Sequence, residues 1–231
     1  MNQQLNHAPP ASGRLSMSAP VAPVDTIVLG VSAGGVEALL AILALLPASF
    51  VLPIVAVVHL PRDRPSLLVE VLGARARIAV REAEDKEMLL PGLTIAPPDY
   101  HLLLDVDCAR YVAGAPDVRL ALSNDALVSY CRPAIDVLFQ SAAEVLGPRV
   151  AGVVLTGANE DGALGLRAIK AAGGLCAVQS PDEAPARTMP EAAIASAQPQ
   201  FVAPLNDIIQ WILALDAHRV VNTESTVFYD R

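Results

Sequence analysis

The chain has 231 residues, of which 53% are hydrophobic and 17% charged, and its formal net charge is −8. That length suits one well-buried domain, and an acidic balance without a dense Lys/Arg cluster argues against nucleic acid or anionic lipid as the main partner. A mean hydropathy of +0.45 raises a membrane-spanning reading, which the order of the predicted elements has to meet.

Residues 1–24, rich in Ala, Pro, Ser, Gln and Asn, read as a flexible tail with no apolar run of signal-peptide length. Thr26-Ile-Val-Leu29 predicts a first strand. Gly30-Val-Ser-Ala-Gly-Gly35 follows as a Gly-rich turn, and Val36 to Leu46 as a helix. The uncharged stretch from Ala38 to Val58 has the length of a transmembrane helix. It is broken by Pro47 and Pro53, which a continuous helix does not tolerate. It divides instead into that buried helix and a core strand over Ile54 to Val58, so no direct membrane insertion is expected. Strand, helix and strand in this order predict a parallel sheet.

The segment from Ile78 to Leu122 reads as short strands and turns, punctuated by Pro91-Gly92 and Pro97-Pro98. Pro133 to Leu146 has helical spacing, with Pro133 suited to the first turn. The βα grammar then returns. Val150 to Leu155 is a strand, Thr156 to Gly162 a polar turn, and Ala163 to Ala172 a helix closed by Gly173-Gly174. Leu175 to Val178 is a further strand, and Leu205 to Leu215 a closing helix. The expected organisation is a tail over 1–24, one domain over 25–216 and a C-terminal tail over 217–231. The expected fold class is α/β: a doubly wound, mostly parallel sheet with helices on both faces.

Three cysteines, Cys108, Cys131 and Cys176, stand at wide spacings with no CxxC pair. A disulfide framework and a structural zinc site are not expected, and the cytoplasm is the expected compartment.

The strongest local signal is Gly30-Val31-Ser32-Ala33-Gly34, a G-x-S-x-G pattern between a predicted strand and a predicted helix. Glycines permit a tight turn that lifts the serine hydroxyl clear of the backbone. The helix start leaves unpaired N–H groups that can hold an oxyanion. The same pattern also reads as an ordinary Gly-rich turn or a phosphate-binding loop. A nucleophilic serine needs a base. Of four histidines, His59 follows the second strand at its carboxyl end, where ligand sites form in open α/β folds; a capping or core role is its plainer reading. Asp161, in the turn after Val150–Leu155, is the candidate to orient the imidazole, with Glu160 as fallback. Its plainer reading is an N-cap for the helix near Ala163. The run Glu82 to Glu87 reads as a solvated face. The chain order Ser, His, Asp differs from the Ser, Asp, His order of α/β-hydrolases, so the triad belongs to a different doubly wound sheet. His218, after the closing helix, is a poor substitute for His59.

At these residues the chain resembles the catalytic domain of bacterial chemotaxis protein-glutamate methylesterases, over about Asp25 to Leu215. The matching blocks are Ile27 to Gly35, His59-Leu-Pro61, Ala83-Glu-Asp85, Pro91-Gly92, Ile95-Ala-Pro97 with His101 downstream, Arg132-Pro133, Asp136 to Phe139, Leu155-Thr-Gly157, Asp161-Gly-Ala163 and Met189-Pro190. The resemblance implies a Ser32, His59 and Asp161 triad that hydrolyses glutamate γ-methyl esters on the cytoplasmic helices of methyl-accepting chemoreceptors, releasing methanol. It implies deamidation of receptor glutamines as a further activity, no cofactor and no metal. The family's N-terminal receiver domain has no counterpart in the resemblance, so a separate receiver or regulatory protein is an expected partner.

Three departures from the family pattern bear on the site. Ser-Thr-Gly-Gly is here Ser32-Ala33-Gly34-Gly35. Thr-Gly-Met-Gly is here Thr156-Gly157-Ala158-Asn159. A His/Arg-rich stretch is reduced to Ser129-Tyr130-Cys131-Arg132. Backbone N–H groups at Ala33, Gly34 and Ala158 remain as oxyanion donors. Arg132 is a candidate contact for an acidic receptor surface, or a surface ion-pair residue. These departures motivate a second reading, a catalytically weakened regulatory or binding protein of a chemosensory pathway. A third, nucleotide binding at the Gly-rich turn, has little support because neither a G-x-G-x-x-G nor a Walker pattern is present.

Overall fold

A computed structural model describes residues 23–59, 67–106 and 117–227, with side chains to residue 219. The tail up to Ala22, His7, Leu60-Pro61 and Cys108 lie outside the described residues.

Among the described residues, seven strands form one sheet in which every neighbouring pair is parallel: β1 (Thr26–Val31), β2 (Pro53–Val58), β3 (Val80–Glu82), β4 (Gly92–Ile95), β7 (Val150–Val154), β8 (Leu175–Gln179) and β9 (Phe201–Ala203). The order across the sheet is β3-β4-β2-β1-β7-β8-β9. The expected α/β, mostly parallel sheet is therefore what the chain builds. β1, β2 and β7 are buried at every position, as near-continuous Val/Ile/Leu runs with helices on both faces must be. The remaining strands, β5 (His101–Val106) and β6 (Val118–Ser123), pair antiparallel as a separate two-stranded unit.

Side chains alternate between two cores, as the strand period of two requires. Ile27, Leu29 and Val31 of β1 join Leu39 and Ile42 of α1 (Gly35–Leu45), Leu72 of α2 (Leu68–Gly73), and Ile208, Ile209 and Ile212 of α6 (Leu205–Val227). Val28 faces the other way. It packs with Ile135, Leu138 and Phe139 of α3 (Ile135–Leu146), Leu166 and Ile169 of α4 (Ala163–Ala171), and Met189 and Ala193 of α5 (Thr188–Ala197). Leu102, Leu104 and Leu120 of the β5–β6 pair close that second core. Helices on both faces make the sheet doubly wound.

Two expected boundaries shift. α3 starts at Ile135, with Ala134 extended before it, so Pro133 precedes the helix instead of sitting in its first turn; the Arg132–Pro133 peptide is cis. The closing helix does not stop at Leu215 but runs to Val227. Beyond the expected end at 216, Arg219 donates to the Asp25 carbonyl at 2.7 Å. Asp216 pins the same helix to the entry of β2, its Oδ1 accepting from the Val51 and Leu52 amides at 2.9 Å each.

What positions the site is the switch in strand order around β1. The chain leaves β1 toward β2 on one side, and β7 later fills the other side. In open α/β sheets the crevice at such a switch, beyond the carboxyl ends of the strands, is where ligands bind.

Candidate active site

Ser32 follows the last residue of β1, and its place is fixed from both sides. The Ser32 amide donates to the Thr156 carbonyl beyond β7 at 3.0 Å. The His59 amide donates to the Val31 carbonyl at 3.1 Å. Val31 pairs with Val58 in the parallel register, and Ser32 and His59 are the residues that follow on the two chains. Sheet register thus puts two residues 27 positions apart in sequence at neighbouring strand ends.

The glycines around Ser32 have different tasks. Gly30 is a strand residue, and a Cβ there would lie 2.4 Å from Ile135 Cγ2. Its missing side chain lets the start of α3 press onto β1. Gly34 has φ +78° and forms the N-terminal boundary of α1, with no side-chain cap; this left-handed position is the turn that favours glycine. The Gly35 amide closes the turn on the Ser32 carbonyl at 2.8 Å. The Ala33 and Gly34 amides donate to no acceptor among the described residues, nor does the Ala158 amide. Ala33 and Ala158 are both exposed. Thr156, fully buried, ties the two loops together: its hydroxyl donates to the Ala33 carbonyl at 2.8 Å and accepts from the Ala186 amide at 2.9 Å. Gln179 Oε1 in turn accepts from the Thr156 amide at 3.0 Å.

His59 and Asp161 are in direct contact. Nε2 of His59 lies 2.9 Å from Oδ2 of Asp161, whose side chain is fully buried. Asp161 also accepts from the Ile135 amide at 2.7 Å through Oδ2 and from the Asp136 amide at 3.0 Å through Oδ1. The two backbone amides already donate to this carboxylate, and as an acceptor it takes its third hydrogen bond from the imidazole. Nε2 is therefore the protonated ring nitrogen, and Nδ1 carries the lone pair. Asn159 Nδ2 lies 3.4 Å from Nδ1, and Cys131 Sγ 3.9 Å from it. No hydrogen bond joins Ser32 Oγ to His59 among the described residues.

The capping role expected of Asp161 is real, but the helix is a different one. Asp161 serves the first amides of α3, while α4 begins behind Gly162 with no side-chain cap. Asp136, in the first turn of α3, reciprocates by accepting from the Gly165 amide of α4 at 2.7 Å. The two helix starts thus hold each other through crossed carboxylates. Burial pushes the Asp136 carboxyl above its ordinary 3.8, and the neighbouring Asp161 charge adds to the rise. The amides of Gly165, Gly162 and Leu164 pull it back down.

Other candidates find plainer places. All three Arg132 nitrogens are engaged: Nε and Nη2 donate to Asp99 Oδ1 at 3.0 and 2.8 Å, and Nη1 to the carbonyls of Asn124 and Asp125 at 2.8 and 2.9 Å. The ion-pair reading of Arg132 describes this geometry. His101 is buried. Its Nδ1 accepts from the Ala134 amide at 3.2 Å, so its Nε2–H donates to the Ala126 carbonyl at 3.0 Å. This is a structural imidazole. His218 is exposed on α6, and its neighbours Asp216 and Arg219 bond to the amino-terminal entries of β2 and β1, not to the carboxyl ends. Glu160 is exposed, as are Glu82, Glu84, Asp85 and Lys86, but Ala83 is buried and Glu87 is half-buried beside Arg81, so the expected solvated face holds only in part.

Sequence reasoning did not place Asn159 and Cys131 against the imidazole, nor the α3 amides on Asp161. Asp161 and the α3 start are more than twenty residues apart, and no local pattern links them. The one available signal was the position of Cys131-Arg132-Pro133 just before a helix N-terminus.

A conserved-family model described as CheB methylesterase matches residues 27–212. A chain from Leptospira interrogans, "Putative protein-glutamate methylesterase/protein-glutamine glutaminase", is 39% identical over 85% of this chain and 97% of its own length. A second relative, from Cupriavidus pinatubonensis, "Protein-glutamate methylesterase/protein-glutamine glutaminase 2", is 40% identical over 81% of this chain; the match spans 51% of that longer protein. The crystal structure of the Thermotoga maritima CheB methylesterase catalytic domain superposes with a TM-score of 0.76 at 30% identity, covering 84% of this chain and all of that one. No helix among the described residues is long and apolar enough to cross a membrane. On sheet order, strand-end site and sequence together, the chain belongs to the CheB methylesterase family of hydrolases.

Proposed function

We propose that this chain hydrolyses glutamate γ-methyl esters on the cytoplasmic helices of a methyl-accepting chemoreceptor, with Ser32 as nucleophile, His59 as base and Asp161 as its orienter. The observation that carries the reading is the buried His59–Asp161 contact beside Ser32, with the lone pair of Nδ1 left for chemistry. In the proposed reaction the Ser32 side chain turns to Nδ1, which takes its proton as Oγ attacks the ester carbonyl. Asp161 stabilises the imidazolium. The unpartnered amides of Ala33, Gly34 and Ala158 are the donors offered to the oxyanion. Collapse expels methanol with the proton from His59, and water then frees the glutamate carboxylate by the reverse sequence. The same attack on a side-chain amide releases ammonia, which is receptor glutamine deamidation.

These donors are backbone groups, so the alanines at 33 and 158 do not remove them. That favours an active enzyme over a weakened binding protein. Exposed Tyr130, next in sequence to Cys131, and Leu164, three residues after Asp161, offer apolar surface suited to an amphipathic helix. Reaction with a serine-directed fluorophosphonate tests the nucleophile. Labelling that maps to Ser32 and falls sharply in His59→Gln supports the reading; labelling equal in both proteins rejects it.

A further inference from the structure

Cys131 brings to the site a donor that ester hydrolysis does not use. Its sulfur lies 3.9 Å from His59 Nδ1, and the Asn159 amide nitrogen lies 3.4 Å from each of them. The nitrogen facing the sulfur is the one with the lone pair, because Nε2 is committed to Asp161. A histidine that gives one nitrogen to a buried carboxylate and offers the other outward has the arrangement of metal-binding histidines. A sulfur and an imidazole nitrogen bound to one tetrahedral zinc stand roughly 3.5 Å apart, given bond lengths of about 2.3 and 2.0 Å. The pair here is a few tenths of an ångström wider. His59, Cys131 and Asp161 have ligand-type atoms all within 4.8 Å of one another.

We propose that His59 Nδ1 and Cys131 Sγ form a binding site for a thiophilic divalent cation such as zinc, and that its occupancy switches the hydrolase off. Binding breaks the Cys131 S–H bond, sends the proton to solvent and places the sulfur electron pair on the metal; nothing is oxidised. The imidazole lone pair is bound at the same time, so it no longer accepts the Ser32 proton. Asp161 keeps its bond to Nε2 and acts as the outer partner. Two protein ligands make a weaker site than the three or four of structural or catalytic zinc, so the metal leaves to a chelator. Cys176 does not compete: it is buried, and burial pushes its thiol up to about 12. Inhibition rests on His59 being the base proposed above; binding does not.

The two parts are tested separately on the full chain. Cobalt(II) is titrated first, and the near-ultraviolet thiolate-to-cobalt charge-transfer band is read, with zinc as competitor. The band is expected in the wild type and in Ser32→Ala, is displaced by zinc, and disappears in Cys131→Ser and Cys131→Ala. His59→Gln and Asp161→Asn weaken cobalt binding, the latter by about tenfold as an outer-shell partner. A band that survives in both Cys131 variants, or no band in the wild type, overturns the site. Ester turnover is then measured against zinc, each variant relative to its own metal-free rate. Zinc inhibition reversed by chelator and weakened at least about tenfold in both Cys131 variants, which lack the soft ligand, supports the switch; equal zinc sensitivity overturns it. A wild type with no ester turnover defeats the proposed function, while the cobalt band still decides the metal site.

Discussion

Asp161 reaches His59 and the first turn of α3 with the same oxygen: Oδ2 accepts from His59 Nε2 at 2.9 Å and from the Ile135 amide at 2.7 Å. One carboxylate therefore holds the imidazole and anchors the helix that packs across β1. Asp161→Asn keeps the shape but puts an amide where two donors converge. Ester turnover is expected to fall by about 10²- to 10⁴-fold, as when a triad carboxylate is lost. Stability is expected to fall by about 1–3 kcal/mol, since a buried amide is left unsatisfied. Parallel turnover and urea-unfolding measurements check this; a variant that loses activity with unchanged stability refutes the shared role.

Asp136 gives a pH dependence of defined sign. Its folded-state carboxyl sits above the ordinary 3.8, so the native state holds this proton where the unfolded chain has released it. Its contribution to stability is fully present below 3.8 and is lost as pH rises through the raised folded value. Asp136→Asn removes that titration. The stability of the variant relative to wild type should therefore increase from pH 4 upward and then level off. Denaturant unfolding across acidic to neutral pH measures the difference; a flat difference contradicts the burial argument.

Gly30 is required by contact with α3. Adding a methyl group places it 2.4 Å from Ile135 Cγ2, and overpacking of this kind costs about 1–3 kcal/mol. Ile135→Ala removes the clashing atom at the price of a cavity. The double variant Gly30→Ala/Ile135→Ala is expected to be more stable than the sum of the two single losses predicts, because the residues touch. Strict additivity in thermal unfolding would show that they do not.

Thr156 links the Ser32 turn to Ala186 through one hydroxyl. Thr156→Val conserves shape and leaves both backbone partners without it, at about 1–3 kcal/mol. Because the hydroxyl holds the Ala33 peptide, kcat is expected to fall more than KM rises. A change confined to KM counts against its role in shaping the oxyanion donors.

The sheet and the ends of β1 and β2 were legible because their signals are local. The Val/Ile runs, the Gly-rich turn and the prolines at 47 and 53 all act within a few residues. Ser32, His59 and Asp161 were legible as residues at or beyond strand ends for the same reason, and the register of β1 on β2 puts Ser32 and His59 at neighbouring strand ends. What stayed hidden was non-local. The N-cap reading of Asp161 chose the adjacent helix, whereas the chain folds it onto α3, some 25 residues upstream, where the Asp136 amide waits. The sequence showed Arg132 as a charge but not that Asp99, Asn124 and Asp125 surround it. The end of the closing helix was misjudged because periodicity fades after Leu215, while Asp216 and Arg219 tie the helix to the sheet through polar bonds that a hydropathy pattern does not register.

The most direct measurement is methanol release from methylated chemoreceptor membranes by the wild type and by Ser32→Ala. The wild type should release methanol catalytically. Ser32→Ala should fall by at least about 10³-fold, as for the loss of a serine nucleophile, with unchanged folding by circular dichroism. Release by Ser32→Ala at the wild-type rate would contradict the assignment of Ser32 as nucleophile.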